Sequence, residues 1–530
     1  MNILGLHYGH DGAAVVIKDG KLVTAISAER VLRKKKFAGI TKEVINIALK
    51  EANISLEDVD VIALADYFIE NSNDTLFLHH NDPSASFKDL FENNILECTG
   101  ILLGRKIPTI IIPHHLAHCA SAYYTSNYDK SWCFSMDSSL SDTRSNSMIA
   151  FGDGNKLTSL GSPGMMVGAA YMMFTELLGL GSGLFKAGST MGLASYGKPL
   201  QDVLNNYKQY ISESYFDTRV QKEYTDYYEK IWAKWYGEIK YIDKKDLNTK
   251  LQFDIAASIQ FLFEEAILDV VNNKIPLDLV KNICLSGGSM LNCNSNTRVK
   301  TETRFEGIHH FPACGDDGIS VGAALYVAHH IYNEPRHKYE HRDICYLGQK
   351  NDYIEPDYKA ISKMIADGKI VAWFMGKSEY GPRALGNRSI LADPRSFHNR
   401  EILNFVVKNR EWFRPFAPVV LEEESEKWFD FKGPSPYMLY TANVLQPEKI
   451  PGVTHIDNSA RMQTINYETN PPYYNLVKEF YNLTGIPILI NTSLNGNGEP
   501  ILETEQDALS FFKNSAVDVL VLNGEVYIKD

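Results

Sequence analysis

The sequence predicts an α/β protein, built as a duplicated α/β domain followed by a second α/β domain. Three observations predict it. The first thirty residues read as a β-meander: the apolar run NILGLHYG is followed by AAVVIKDGKLVTAISAER, with Asp19-Gly20 as the hairpin turn. The pattern recurs in SWCFSMDSSLSDTRSNSMIAFGDGNKLTSLGS, as strand, polar turn, strand, Asp153-Gly154 and strand, down to DGNKL against DGKL. After a polar, charged stretch (NEPRHKYEHRDI, Asn333–Ile344), the segment KIVAWFMGKSEYGPRALGNRS restarts a strand–loop–helix signal. The boundaries fall at 1–335 and 351–530, with 336–350 as linker.

The remaining elements follow in order. SLEDVDVIALA is a capped turn feeding a buried strand, KIPTIIIP is a β-branched strand, and AHCASAYYTS is helical. Residues 200–260, including YTDYYEKIWAKWYGEIKYI, have helical spacing and read as an inserted or capping segment. VKNICLSGGSMLNCNSN is strand, glycine turn, helix, and FPACGDDGISVGAALYVAHHI is turn and small-residue helix. The chain ends β-rich, in DVLVLNGEVYIKD. Two related meanders, each followed by helices and a buried strand, give the actin-like, sugar-kinase-like arrangement. There the strand-end loops of two halves meet in a ligand cleft.

Composition narrows the function classes. The 530 residues are 44% hydrophobic and 22% charged, a globular balance. The start, MNILGLHYGHDG, lacks the basic n-region of a secretory leader. The most apolar stretch, Gly164–Phe174, is shorter than the ~20 residues a bilayer requires. Seven scattered cysteines without a C-x-x-C pair point to a reducing cytoplasm. A net charge of −12 argues against broad binding to nucleic acid or anionic membrane. One segment runs the other way: Gly381 to Arg414 carries seven basic residues against three acids.

Two groups of residues carry chemistry. His114 and His118, in PHHLAHCA, lie one helical turn apart, a spacing at which two imidazoles hold one ion. Asp137 ends the strand SWCFSMD, and Asp316 sits in the glycine-framed turn CGDDG. Two His and two Asp suit iron, manganese or zinc with positions left open for substrate. Asp316 and Asp317 serve equally as helix N-caps on spacing alone. In the second group, Arg383 and Arg388 lie on a Gly/Pro-framed loop, Lys408, Arg410 and Arg414 lie among Trp412, Phe413 and Phe416, and SARMQTI adds Arg461. Guanidinium groups held among aromatics lose hydration, and anions restore it, phosphate foremost. NTSLNGNGEP (Asn491–Pro500) adds small polar donors. The glycine turns LSGGSMLN and AGSTMGLASYGKP allow amides to approach a phosphate.

The blocks GHDGAAVV, SAER, PHHLAHCASAYY, MGLASYG, SGGSMLNCNSN, CGDDGISVGAAL, GPRALGNRSILADPR, VKNREWFRPFAPVV, ARMQTI and INTSLNGNGEP occur in order along nearly the whole chain. Together they resemble the O-carbamoyltransferases of antibiotic and nodulation-factor biosynthesis. That family joins a Kae1-like (actin-type) domain to a YrdC-like domain. The resemblance implies ATP-dependent formation of carbamoyl-adenylate from carbamoyl phosphate in the second domain, ATP arriving with Mg2+. Transfer to a hydroxyl of a sugar or natural product follows in the first. It implies iron on His114, His118, Asp137 and Asp316, with His115 as a positioning residue. It implies carbamoyl phosphate and ATP on Arg383, Lys408, Arg414 and Arg461, with Asn491 and Ser493 lining the same pocket, while Gly287 and Gly288 of the LSGG turn are the amide candidates for phosphate. Asp11, His10 and Asp137 are the candidates for the acceptor's general base. A homodimer and a cytoplasmic setting complete the expectation.

Two blocks depart from the family's pattern. DSSLSD (Asp137–Asp142) carries serines where Asp-Gly-x-Gly is usual, and AGSTMGLASYG lacks the commoner lysine. An actin-fold sugar kinase or ATPase and a non-catalytic nucleotide binder stay open as alternatives.

Overall fold

A computed structural model describes residues 1–66, 75–79, 95–138, 146–213, 249–276 and 279–529. Among these described residues there are three sheets. In the first, β1 (Asn2–His7), β2 (Ala13–Lys18) and β3 (Lys21–Ser27) form the meander, and β4 (Val61–Ala65) and β7 (Arg105–Ile112) extend it in parallel from β1. The hairpin β5 (Leu76–His79) and β6 (Leu96–Leu102) adds the far edge. In the second, β8 (Lys130–Met136), β9 (Ser147–Asp153) and β10 (Lys156–Gly161) repeat the meander. There β11 (Asn282–Ser286) and β12 (Gly307–His310) are the parallel additions. The orders β3-β2-β1-β4-β7 and β10-β9-β8-β11-β12 therefore match strand for strand. This is the duplicated actin-like architecture, and the turn residues explain its hairpins. Asp19 and Gly20 both have positive φ, 49° and 75°, which a primed two-residue turn requires.

Helix α1 (His114–Thr125) follows β7, and helix α2 (Ile319–Tyr326) follows β12, so the two are counterparts. They cross at backbone contact. A Cβ on Gly322 would stand 1.8 Å from the Ala117 carbonyl oxygen, so only glycine permits the approach. The crossing brings the N-terminal ends of both helices to one place.

The third sheet has nine strands, ordered β16-β17-β18-β15-β19-β14-β13-β20-β21. They are β13 (Val371–Phe374), β14 (Arg388–Ala392), β15 (Ala417–Leu421), β16 (Phe429–Asp430), β17 (Tyr440–Val444), β18 (Ser459–Ile465), β19 (Ile488–Ser493), β20 (Val519–Leu522) and β21 (Glu525–Ile528). A separate apolar core lies beneath it. Residues 333–350 are fastened rather than loose: Arg336 donates to the carbonyls of Tyr123, Ser126, Tyr128 and Gly154. Thr24 and the Ala25 amide both bond the Leu347 carbonyl.

The two parts are stitched by side chains on backbone carbonyls. Arg30 donates to Glu379 and Gly381 at 2.6 and 2.7 Å, and Arg33 to Ile501 and Pro500 at 2.7 and 2.9 Å. His310, 3% exposed, meets the Tyr440 ring across this junction with centroids 5.5 Å apart. Burial pulls its pKa down to about 3. The unfolded chain binds a proton there near pH 6.5 and the folded one does not, so stability falls as pH drops below 6.5. We expect this histidine alone to cost about 2 kcal/mol between pH 7.5 and pH 5. Urea unfolding of His310→Phe at both pH values should show a correspondingly smaller loss than the parent.

Among the described residues no helix is long and apolar enough to cross a membrane. Of the segment read as helical at 200–260, residues Gln201–Glu213 and Lys250 onward are helical, and 214–248 lie outside the described residues.

Candidate active site

Four side chains converge where α1 and α2 cross. His114 and His118 come from the first turns of α1, Asp137 follows the end of β8, and Asp316 lies in the turn that leads into α2. One ligand atom from each lies within 4.8 Å of all the others. Asp137 Oδ2 is 3.0 Å from His114 Nε2 and 2.8 Å from His118 Nε2, and Asp316 Oδ1 is 3.7 and 3.3 Å from the same nitrogens. Asp316 is not the helix cap: the 3₁₀ turn Asp316–Gly318 intervenes, and Gly318 occupies the cap position of α2.

Hydrogen bonds fix this geometry from behind. His114 Nδ1 is 2.9 Å from Asp66 Oδ2, so its Nδ1–H is the donor and its Nε2 lone pair turns toward Asp137 and Asp316. His118 is fully buried, and neither of its ring nitrogens makes a directed hydrogen bond. Lone pairs facing carboxylate oxygens are unfavourable unless a positive charge lies between them. Burial works against a charged His114, yet the carboxylates of Asp316, Asp137 and Asp66 hold its pKa well above the ordinary range. Asp137 is likewise held well below the usual carboxylate range, the two imidazoles outweighing burial. The same field draws a divalent cation. The donor set, nitrogen and oxygen with no sulfur, fits a transition ion.

Asp137 is aimed by its other oxygen. Oδ1 accepts the Gly288 amide hydrogen in a short bond, and Gly287 (φ 93°) lets that turn lie on the Met136 backbone. The glycine turn expected to reach a phosphate thus spends its Gly288 amide on Asp137. Of the second glycine stretch, Ala187–Pro199, the part up to Ala194 lies within the helix Gly183–Ala194. His115 faces Ser135 Oγ at 3.2 Å, behind α1.

At the mouth of the cluster, His10 bridges two carboxylates, Nδ1 to Asp11 at 3.0 Å and Nε2 to Asp316 at 3.2 Å. Asp11 also pairs with Lys36 at 2.8 Å and has positive φ. Burial opposes its charge, but His10 and Lys36 hold its pKa below the ordinary value. Lys36 and Asp66 were not singled out by the sequence. Asp66 had a signal: it ends β4 as Asp137 ends β8.

The basic residues divide into two kinds. Arg388 is structural: fully buried, it donates to the carbonyls of Met375, Gly376, Asn387 and Glu503 and lies 3.5 Å over Phe374. Arg395 pairs with Asp393, and Arg400 with the Thr454 carbonyl. Arg383, Arg414 and Arg461 instead repel one another. Burial first, and then these neighbours, pull Arg461 down to about 9 and lower Arg383. Arg414 pairs with Glu411 at 3.6 Å. Lys408, held far below its usual pKa by burial and by Arg410, Lys35 and Arg414, bonds the carbonyls of Ser493 and Asn495. Ser493 Oγ donates to Asn495, and Asn491 Nδ2 to Ala384 and Gln463.

The loop that carries Arg383 abuts the segment that carries Asp316. Gly381, on the Arg383 loop, packs its backbone against Pro312 and Ala313, and Tyr380 donates to the Asp317 carbonyl. Asp317 lies within electrostatic reach of Arg383. The Arg383 loop and the turn that carries Asp316 are therefore neighbours.

Comparison with known proteins decides the family. Residues 2–325 match the family described as "Carbamoyltransferase N-terminus", and residues 362–529 match "Carbamoyltransferase C-terminus". The chain belongs to the carbamoyltransferase family. This carbamoyltransferase is 35% identical to the uncharacterized protein sll1178 of Synechocystis, over all of this chain and 97% of that one. It is 30% identical to nodulation protein NolNO of Sinorhizobium fredii, over 98% and 79%. Among solved structures, the activator of the 2-hydroxyisocaproyl-CoA dehydratase from Clostridium difficile aligns at TM-score 0.34 and 14% identity. It covers 64% of this chain and all of that one, too slight a likeness to add to the strand order.

Proposed function

We propose that this carbamoyltransferase works in two coupled half-reactions, both dependent on ATP. The observation that carries the reading is that the loop bearing Arg383, one of a mutually repelling arginine group, packs on the segment that leads to Asp316 of a His₂Asp₂ cluster. Arg383, Arg414, Arg461 and Lys408 bind carbamoyl phosphate and the ATP phosphates, whose charge offsets their repulsion. Water attacks carbamoyl phosphate, the bond between the carbamoyl group and phosphate breaks, and carbamate and inorganic phosphate result. A carbamate oxygen then attacks the α-phosphorus, and pyrophosphate leaves. The product is carbamoyl-adenylate, whose AMP is a good leaving group.

In the second half-reaction a hydroxyl of a small acceptor, a sugar or natural product, attacks the carbamoyl carbon and AMP departs. His114, His118, Asp137 and Asp316 are the residues that hold a divalent ion, iron by family resemblance. When bound it supplies Lewis acidity and a template for the adenylate. We assign Asp137 to that ligand set rather than to proton transfer, because its basicity is spent on two imidazoles. Asp11, held ionised by His10 and Lys36, faces the acceptor hydroxyl as the proton acceptor. His10, whose two nitrogens face the Asp11 and Asp316 carboxylates, holds Asp11 against the ligand cluster.

Purified protein supplied with ATP, Mg2+ and carbamoyl phosphate should release pyrophosphate, and omission of carbamoyl phosphate should stop it. ADP as the product, with no need for carbamoyl phosphate, would place the chemistry with phosphoryl transfer and end this reading.

A further inference from the structure

Away from both clusters, a cavity of about 500 Å³ opens where the two domains and the segment between them meet. Its walls come from the start of β3, from residues 342–353, from the β13–β14 connection, and from the N-terminus of helix α3 (Pro471–Thr484). Four cationic side chains line it, Lys21, Arg342, Lys350 and Lys377, against one acid, Asp343, in a chain of net charge −12. Lys350 pairs outward with Asp352. Among the described residues Lys21, Arg342 and Lys377 have no ion pair, and the Lys377 ammonium donates to the Val23 carbonyl at 3.2 Å. Burial lowers the pKa of Lys377, with Glu51 offsetting part of that cost. A half-buried ammonium in this state gains from an anion.

The helix end does not supply the anion contact itself. Pro471 and Pro472 have no amide hydrogens, and Asn470 spends its oxygen on the Tyr473 amide. The charge must come from the four side chains. The cavity also has an aromatic wall. Tyr353 is 43% exposed, and its ring lies against Gly376, where a Cβ would stand 3.4 Å away. The volume exceeds what inorganic phosphate fills and suits a ligand with a ring as well as a charge. The floor is Asn387, at the far end of the loop that carries Arg383. It donates to the Lys377 carbonyl at 2.7 Å and accepts from Asn470 at 2.8 Å.

We propose that this seam is a second nucleotide site, taking a nucleoside phosphate with its phosphate on Lys377 and Arg342 and its base against Tyr353. It is separate from the arginine cluster, and it joins both domains to the back of the Arg383 loop. The test is equilibrium dialysis of the full chain with radiolabelled AMP. The count of sites includes the nucleotide place proposed above, so the parent should bind two equivalents. Arg342→Ala/Lys377→Ala should bind one. Lys21→Glu/Lys350→Glu changes two exposed side chains, so folding is not at issue. It should weaken one site at least about tenfold and leave the other unmoved, an effect that fades in high salt. Two equivalents unaffected by either variant overturn the proposal. So does a single equivalent that both variants retain. A single equivalent that both variants lose supports the seam and counts instead against nucleotide on the arginines.

Discussion

A chain carrying Asp137→Asn is expected to release pyrophosphate from ATP and carbamoyl phosphate at close to the parent rate. It should pass the carbamoyl group to a hydroxylated acceptor at least about 100-fold more slowly. The substitution keeps the shape and the Gly288 amide bond, because the Asn oxygen accepts as Oδ1 does. It removes one negative charge from between two imidazoles that lie 3.0 and 2.8 Å from Oδ2. It also turns amide hydrogens toward nitrogens whose lone pairs must point inward. The cluster's hold on a cation therefore falls, and metal content per chain, measured on purified protein, should fall with it. Measuring both half-reactions separates the possibilities. Loss of pyrophosphate release together with transfer would mean that the two clusters are not distinct stations. Unchanged metal content with unchanged transfer would remove Asp137 from the ligand set.

How far the sequence reveals this site depends on the kind of interaction. Periodicity and turn residues found both meanders, since Asp-Gly hairpins and alternating apolar runs are local signals. His114 and His118 were legible because their spacing is fixed within one helix. Asp137 and Asp316 were legible as strand-end and turn positions. Asp66 and Lys36 were not, because their roles exist only once β4 meets α1 and the loop after β3 folds onto Asp11. The basic segment shows the same limit. Its charge count could not tell Arg388, sunk among carbonyls, from Arg461, whose charged neighbours are Arg383 and Arg414. The glycine turn at Gly287 and Gly288 was visible, but the partner of its amide was not. A tight turn presents the same letters whether it cradles a phosphate or aims a carboxylate. The serine-bearing stretch after Asp137 lies outside the described residues from 139 to 145.

Arg461→Met is expected to abolish pyrophosphate release, by about 100- to 1,000-fold, while leaving the fold as stable as the parent or more so. The two effects share one cause. Arg461 stands on β18, where burial and the charges of Arg383 and Arg414 pull it down to about 9. No carboxylate pairs with it among the described residues. Such a charge is kept at a cost until an anion arrives, and a methionine of similar length removes the cost together with the anion contact. Arg461 is only half-buried, so solvent screens much of the repulsion. We expect a gain of no more than about 1 kcal/mol, shrinking in high salt. Lys408→Met provides the contrast. Its ammonium bonds Ser493 and Asn495 and so pins the loop after β19; its removal should cost stability as well as activity. Thermal melts should therefore separate the two variants, that of Arg461→Met holding level or rising and that of Lys408→Met falling. A melt of Arg461→Met that falls like that of Lys408→Met would mean that the fold, rather than a ligand, uses this arginine. Retained pyrophosphate release would take it out of the phosphate site altogether.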